Sequence, residues 1–564
     1  MFERLQEGGF MTILTMNRKE LEKKVGKITK EVEDKITQLG TPVEEVTDEE
    51  VSIEIFPNRP DLLSLSNFAR ALNQYNEKEG VAKFKILPPE KDFIVTIDKS
   101  VKEVRPYTCC AIVKGMKFDD EKIKEIIDIQ EKLHGSIGRK RKKLAIGIYP
   151  LEKIKLPIRF MAKKPEEIKF IPLEYPRELN GRQILRQHPT GREYADLLKD
   201  EEVFPIFIDA NDQILSMPPI INSESTGRIT DKTTDIFIEC SGFNLHYLKK
   251  CINIIVSALY SMGGKIYAMN IKDSKEKDYL TPDMTPEEMK FNIVDVEKTL
   301  GIKLTEKEVK KFLERMGIGY ENRSGQSLAT IPAYRTDILH WIDLAEEVAI
   351  AYGYENFVAE IPKISTIAEE DKMSKTKRVI SQILSGLSLL ETSSFHLTTK
   401  KNIKKTDYEY KDFIEIEDSK TERDCLRVDL MTNLLQILSE NSNVQYPQKI
   451  FEMGKVFSLD ETGKSETKIN EKENLAIALI DEKINFTEIK QVLDYLFKML
   501  NIEYKIEATE NAGYINGRVG KVIVNGKEIG LIGEIAPRVL KNWKIKMPVV
   551  GLEMNIDFFL SPVN

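Results

Sequence analysis

Apolar positions along the chain fall on two periods, and the places where the period changes mark its elements. Val32, Ile36 and Leu39 share a face at helical spacing, so residues 18–40 read as a helix that Gly40 stops. Val51, Ile53 and Ile55 alternate with polar residues and predict a strand. Asn58-Arg59-Pro60-Asp61 then turns the chain. Pro60 fixes φ, and Asp61 is placed to cap a helix carrying Leu62, Leu65, Phe68 and Leu72. The run LPPEKD at 87–92 reads as a linker closing a small first domain.

The second segment mixes strand and helix. Phe204, Ile206 and Ile208 alternate as a strand, Asn211-Asp212 turns it, and Leu215-Ser216-Met217-Pro218-Pro219 follows. Two prolines remove two ladder donors, so regular pairing is expected to fail just after Ser216. A strand over 236–241 puts Phe237, Glu239 and Ser241 on one face. Leu245, Leu248, Ile252, Ile255 and Leu259 then form a helical stripe, read as core packing and ended by Gly263-Gly264. Residues 271–288, charged and broken by prolines, read as a second linker.

Beyond it, Thr305 and Glu308 form a capping box ahead of Val309, Phe312, Leu313 and Met316, with Gly317 as the C-cap residue. A helix from Trp341 to Tyr352 closes this small α+β module. The last segment mixes helices with strands. Asn525-Gly526 between two apolar runs is a two-residue hairpin signal, 549–556 reads as a strand, and 461–473 as an exposed loop.

Composition narrows the class. At 564 residues the chain is too long for one core, and about four domains are expected. Hydrophobic residues at 41% and charged residues at 31% are ordinary globular usage, which excludes a mainly disordered chain. The net charge of −7 makes any nucleic-acid contact local. Five cysteines without Cys-x-x-Cys spacing fit a reducing compartment and argue against structural zinc. The first ten residues lack the apolar run of a signal peptide, and the longest apolar stretch, around 252–262, is too short to span a bilayer. The expectation is a cytoplasmic protein with no membrane contact.

Three groups of residues could carry chemistry. Asp343, Glu346 and Glu347 lie at i, i+3 and i+4 on one helix face, and Asp337 precedes them closely enough to fold back. Four carboxylates without His or Cys suit a hard cation, Mg²⁺ or Ca²⁺. Acids at a helix N-terminus also simply complement its dipole, and from spacing alone that reading is the stronger. Glu239 and Ser241, with Ser216, could line a small polar pocket or belong to an ordinary solvent face. The densest basic run, Arg139, Lys140, Arg141, Lys142 and Lys143, is either a solvated loop or a phosphate contact. The histidines at 134, 188, 246, 340 and 396 show no nucleophile-elbow context and read as surface or satisfied core residues. Lys372-Met373-Ser374-Lys375 mimics a class I synthetase loop, but no His-Ile-Gly-His partner accompanies it, and it reads as coincidence.

Several strings together resemble the β subunit of phenylalanyl-tRNA synthetase of the archaeal/eukaryotic type. They are NRPDLLS at 58–64, IQEKLHGSIGRKRKKLAIG at 129–147, LSMPPIIN at 215–222, IFIEC at 236–240, IPAYRTDILHWIDLAEEVAIAYGYENF at 331–357, FEMGKVF at 451–457 and GLIGEIAP at 530–537. The resemblance runs from about Met11 to the C-terminus, so residues 1–10 read as an extension or an upstream start.

The resemblance implies an α+β multidomain fold: an N-terminal α/β domain at 1–88, a B3/B4-type editing domain at 89–272, a small B5-type, winged-helix-like domain at 273–357, and a class II synthetase-like antiparallel sheet domain at 358–564. It further implies an α₂β₂ enzyme that joins phenylalanine to tRNA(Phe), with ATP bound by the partner α subunit. The class II signature agrees, since Phe-Arg occurs nowhere and Gly317-Ile318-Gly319 lacks the following arginine. Two sites carry over from the family: a structural Mg²⁺ held by Asp337, Asp343, Glu346 and Glu347, and an editing pocket for mischarged Tyr-tRNA(Phe) that includes Ser216, Asn222, Glu239 and Ser241. A buried acceptor for a phenolic hydroxyl rejects phenylalanine, and Glu239 is the candidate for that readout, with Arg139–Lys143 steering the acceptor end. Ser241-Gly242-Phe243-Asn244 in place of the family's Thr-Gly-Thr-Asp, and Ser225 in place of a frequent histidine, put full editing activity in question. A purely structural subunit with a decayed pocket is the alternative.

Overall fold

The structure is a computed structural model and describes residues 12–274, 277–361, 367–406, 413–417, 419, 421–463 and 465–560. The chain divides into two compact units, Met1–Glu360 and Ile361–Asn564.

In the first unit, Glu50–Ile55 forms the centre of a three-stranded antiparallel sheet between Thr12–Asn17 and Val43–Val46. The helix expected over 18–40 is two helices, Arg18–Val25 and Lys30–Gln38, because Gly26 adopts φ +96° and cannot continue the first. Asp61 does not cap the next helix. It pairs with Arg59 at 2.9 Å, and Ser64 caps Leu65–Tyr75 by accepting the Asn67 N–H. That helix packs on Leu245–Ser261, the helix of the apolar stripe. Asn67 Nδ2 donates to the Ile254 carbonyl at 3.2 Å, and Arg70 reaches the Ser257 carbonyl at 3.2 Å and Ser261 Oγ at 2.9 Å. Phe68 and Leu72 join Ile252, Ile255 and Leu259 in one continuous core.

The main sheet of this unit has eleven strands among the described residues. Its path runs Ile221–Asn222, Ile214–Met217, Phe204–Ile208, Ile158–Lys163, Ile94–Ile97, Lys265–Asp273, Tyr107–Lys114, Ile236–Gly242 and Leu144–Pro150. Lys265–Asp273 changes partner along its length, pairing antiparallel with Tyr107–Lys114 at its start and parallel with Ile94–Ile97 at its end. Ile86–Leu87 and Tyr279–Thr281 also pair with it, so the stretch 271–288 read as a linker contributes a strand, while of 87–92 only Leu87 does. Charge and proline mask a strand that needs only two or three paired residues. Pairing stops at the two prolines as expected, one residue later than read: the strand ends at Met217, Pro218 and Pro219 occupy a tight return, and Ser216 and Met217 pair back onto Asn222 and Ile221.

The third module sets Glu287–Phe291, Gln326–Ile331 and Gly319–Arg323 against helices Ile293–Leu300, Glu306–Arg315 and Trp341–Tyr352. The capping box at Thr305 and Glu308 forms as read, and Val309 and Leu313 pack against Leu344 and Val348.

The second unit is built on a seven-stranded sheet. From one edge its order is Leu390–Glu391, Gln448–Leu459, Ile469–Ile480, Val549–Asn555, Lys527–Ile535, Tyr514–Val524 and Lys505–Ala508, antiparallel except at the first pair. Asn525 and Gly526, at φ +50° and +74°, turn the expected hairpin. The strand from Ile469 shortens the loop expected at 461–473. Helices Lys372–Gly386 and Phe486–Met499 cover one sheet face, and Met431–Glu440 packs into a separate core. The Lys372–Lys375 tetrapeptide is the first turn of an ordinary helix capped by Asp371. Among the described residues no helix is long and apolar enough to cross a membrane.

Candidate functional site

Strand Ile236–Gly242 runs between Tyr107–Lys114 and Leu144–Pro150, with Glu239 opposite Cys110 on one side and Gly147 on the other. The glycine is required there. A Cβ on Gly147 would stand 2.2 Å from the Tyr149 hydroxyl and 2.6 Å from Glu239 Oε1. Glu239 is 2% exposed, and Tyr149, fully buried, donates from its phenol toward Glu239 Oε1 at 3.3 Å and Asn222 Oδ1 at 3.2 Å. Burial pushes the Glu239 carboxyl up to about 8, against the lowering influence of Arg105. It is therefore predominantly protonated at neutral pH.

Ser216, Asn222 and Glu239 meet on one cavity of about 400 Å³, walled by Ile126, Ile146, Ile148 and the Pro218-Pro219 return. Such a volume takes a small organic ligand. Glu239 Oε2 and Ser216 Oγ are buried there without a hydrogen-bond partner. Ser241 is not part of the wall. It lies two residues along the same strand, where Arg105 donates to its Oγ at 3.1 Å and its carbonyl at 2.7 Å. Buried Arg105 thus fixes the end of the strand behind Glu239, and burial lowers its guanidinium to about 10.

Arg141 separates from its basic run. Arg139, Lys140 and Arg141 all take positive φ, a tight loop that turns Arg141 inward while Arg139, Lys140, Lys142 and Lys143 stay exposed. Arg141 lines the cavity and donates to the Ile220 carbonyl at 2.8 Å and to Glu131 at 3.1 Å, so it braces the Pro218-Pro219 return from inside. Of the five basic residues in the run, four are exposed and Arg141 is drawn inward.

The structure also brings in two histidines that sequence reading set aside. His134 accepts the Ile146 N–H on Nε2 at 2.8 Å and faces Glu131 with Nδ1 at 3.3 Å, so both nitrogens are engaged. Burial holds it below the usual histidine range. His188 lines the same cavity, 5% exposed. Ser225, where the resemblance leads one to expect histidine, bonds Gln213 and Ser223 instead.

With this geometry in place, the comparisons with known proteins are decisive. Three family models match: "B3/4 domain" over residues 98–253, "tRNA synthetase B5 domain" over 289–354, and "Phenylalanyl tRNA synthetase beta chain CLM domain" over 358–556. Phenylalanine--tRNA ligase beta subunits are similar along nearly the whole chain. That of Pyrococcus abyssi is 39% identical over 90% of both chains. That of Thermococcus kodakarensis is 36% identical over 97% of this chain and 98% of its own.

The chain belongs to the phenylalanine--tRNA ligase beta subunit family.

A solved N-terminal fragment of the Pyrococcus horikoshii phenylalanyl-tRNA synthetase beta subunit agrees. It has a TM-score of 0.58 and 35% identity, covering 60% of this chain and 99% of the fragment. The B3/4 match takes in Arg105, His134, Tyr149, His188, Ser216, Asn222 and Glu239, so the cavity belongs to the B3/4 domain of this beta subunit.

The four carboxylates expected to hold magnesium lie in and beside the helix Trp341–Tyr352, but they do not form a coordination shell. Arg335, 2% exposed, takes Asp337 through two bonds of 2.7 and 2.8 Å, and Glu347 through two of 2.7 and 3.1 Å. Asp343 Oδ2 accepts the N–H groups of Leu339 and His340, both at 2.7 Å. Glu346 stays exposed, its carboxyl raised by partial burial and then by Glu347, Asp343 and Asp337. The guanidinium supplies the positive charge the sequence pattern assigned to a metal, and no three carboxylates, histidines or cysteines among the described residues are arranged around a common point. The residues as placed do not fit the ion. Arg335 carries no ligand signature in the sequence, because a guanidinium is a counter-charge and not a metal ligand.

The second unit holds a larger cavity, of about 780 Å³. Its acidic groups serve the backbone. Asp429 accepts the Thr432 N–H at 2.7 Å, and Glu553 accepts those of Leu430 and Met431 at 3.0 and 2.9 Å. Arg427 is spent on Glu452 at 2.6 Å and on the Lys455 carbonyl at 2.7 Å.

Proposed function

We propose that this beta subunit works as the editing and scaffolding partner of a phenylalanine--tRNA ligase. In this reading the α subunit binds ATP and joins phenylalanine to tRNA(Phe) in a cytoplasmic α₂β₂ assembly. The sheet domain of the second unit, class II-like without the arginines that clamp ATP, serves as the packing partner, and the B5 domain is winged-helix-like. The B3/4 cavity takes the tyrosyl end of mischarged Tyr-tRNA(Phe) and hydrolyses its ester. The exposed Arg139, Lys140, Lys142 and Lys143 approach the acceptor-end phosphates.

The observation that carries the editing reading is the pair of unsatisfied buried groups, Glu239 Oε2 and Ser216 Oγ, on a cavity that isoleucines and the Pro218-Pro219 return also line. A tyrosine hydroxyl satisfies them. Phenylalanine leaves them unpaired, which is how a buried polar group rejects the correct amino acid. A protonated Glu239 can donate to the phenolic oxygen as well as accept from its hydrogen, and it requires no buried anion.

Deacylation of Tyr-tRNA(Phe) by the assembled ligase tests this. Glu239→Ala is expected to lower kcat/KM about 10- to 100-fold. Glu239→Gln, which resembles the neutral acid in shape, is expected to keep most of it at pH 7. Equal, slow rates in wild type and Glu239→Ala would establish the alternative of a structural subunit with a decayed pocket. The features favouring that alternative are Ser225 bonded away at Gln213 and Ser241 outside the wall.

A further inference from the structure

The strand that carries Glu239 leads into an exposed aromatic. Phe243 follows Ile236–Gly242 directly and is 49% exposed. In sequence it stands only as a departure from the threonine that the family resemblance leads one to expect. Its ring is backed by a cation. The guanidinium carbon of Arg105 lies 5.4 Å from the ring centroid, while the same group donates to the Ser241 Oγ and carbonyl. That contact holds the ring in a fixed place. Arg105 is 2% exposed, so the exposed half of Phe243 lies away from it.

The surroundings suit a polyanion. Ser241 pairs with Ala145, a wall residue of the B3/4 cavity, and Gly242 pairs with Leu144. A Cβ on Gly242 would stand 2.5 Å from the Lys143 carbonyl oxygen. The end of the Glu239 strand and the exposed Lys142 and Lys143 therefore share one edge of the sheet. The helix Leu245–Ser261 begins just beyond Phe243 with no acidic residue in its first turn, and a helix N-terminus favours anions. A held aromatic face beside lysines is how proteins grip single-stranded nucleic acid without reading its sequence.

We propose that the terminal adenine of the tRNA stacks on Phe243 while its tyrosyl ester occupies the cavity. The inference rests on that cavity being the deacylation site, and it names the contact that holds the nucleotide there. The reach agrees. Four residues separate Glu239 from Phe243, at most about 13 Å of extended chain. From phenolic oxygen to adenine, a tyrosyl ester of adenosine covers about 10–14 Å at ordinary bond lengths. With the phenol on Glu239 and Ser216, the base reaches Phe243 and the phosphates behind it meet Lys142 and Lys143. Adenine is common to every charged tRNA, so Phe243 adds affinity and Glu239 chooses the amino acid.

Titrations of the assembled ligase test this with two probes. One is 3′-tyrosylamido-3′-deoxyadenosine, whose amide replaces the labile ester, and the other is tyrosine methylamide, which lacks the nucleoside. Phenylalanyl sulfamoyladenosine fills the synthetic site of the α subunit beforehand. Wild type is expected to bind the adenosine probe about 5- to 100-fold more tightly than the methylamide. Phe243→Ala and Phe243→Leu are expected to lose that gap, and Phe243→Trp to keep it. Unchanged binding of the methylamide shows that each variant retains the cavity. In deacylation of Tyr-tRNA(Phe), Phe243→Ala is expected to raise KM by a similar factor with little change in kcat. An unchanged gap in Phe243→Ala overturns the proposal, as does its absence in wild type. A gap kept in Phe243→Leu also overturns it, because apolar area without a π face would then suffice. A wild type that shows the gap but does not deacylate loses the editing reading and keeps the stacking site.

Discussion

Glu239 shows how position, more than residue type, sets chemistry. In an exposed strand it would be an anion; behind Tyr149 and Gly147 it is raised from 4.5 to about 8. The folded chain therefore binds a proton that the unfolded chain has lost over much of this range. Stability from this group is full below about 4.5 and is lost as pH rises through about 8. The Glu239→Gln variant is expected to lose less stability than wild type between pH 6 and 9, measured by denaturant unfolding across that range. Parallel curves would mean that the carboxyl is already ionised. The sequence supplied Ser216, Asn222 and Glu239 as candidates. Ser241 was placed with them because it shares the strand face of Glu239, but its Oγ and carbonyl accept from Arg105 and it does not line the cavity. Tyr149, His134 and His188 carry no motif, and only their distance from Glu239 or from the cavity marks them.

Among the elements, the segment 335–347 depends most on a single side chain. Arg335 neutralises Asp337 and Glu347 in a nearly dry setting, so its loss strands two carboxylates. Arg335→Met is expected to destabilise the first unit by about 3–5 kcal/mol, read by chemical denaturation. Asp337→Asn is expected to cost less, because Glu347 still holds the guanidinium. The hairpin of the second unit offers a smaller test. Gly526 lies at φ +74° with open space around it, so Gly526→Ala adds strain without a clash and is expected to cost about 1–2 kcal/mol. At this scale the periodic elements and the hairpin were legible, because spacing and turn chemistry are local. The strands at 86–87 and 279–281 were not, since pairing with Lys265–Asp273 decides them.

For the whole molecule, the division at Glu360 separates two sets of cores. The solved Pyrococcus horikoshii fragment, covered over 99% of its length by 60% of this chain, is a precedent for the first unit as an independent body. A fragment of residues 1–360 is expected to unfold in a cooperative calorimetric transition of its own. A broad, non-cooperative melt would show that it depends on the rest of the chain. Within it, one continuous core runs from Leu14 through Phe68 and Ile252 to Ala351. The boundary at 88 falls just after strand Ile86–Leu87, and the one at 272 falls at the last residues of strand Lys265–Asp273.

The sequence by itself determined what depends on near neighbours and on matched strings: the helical stripes, the capping box at Thr305, the Asn525-Gly526 turn and the family. Tertiary structure alone decided which polar groups meet. Cavity and counter-charge are long-range facts. Residue 188 faces the same space as residue 239 because two distant stretches of one sheet domain fold together. Arg335 stands among the carboxylates the sequence pattern assigned to a metal because a guanidinium twelve positions away reaches Glu347. Periodicity fixes a side chain's direction relative to its own backbone, and chemistry needs its direction relative to other segments.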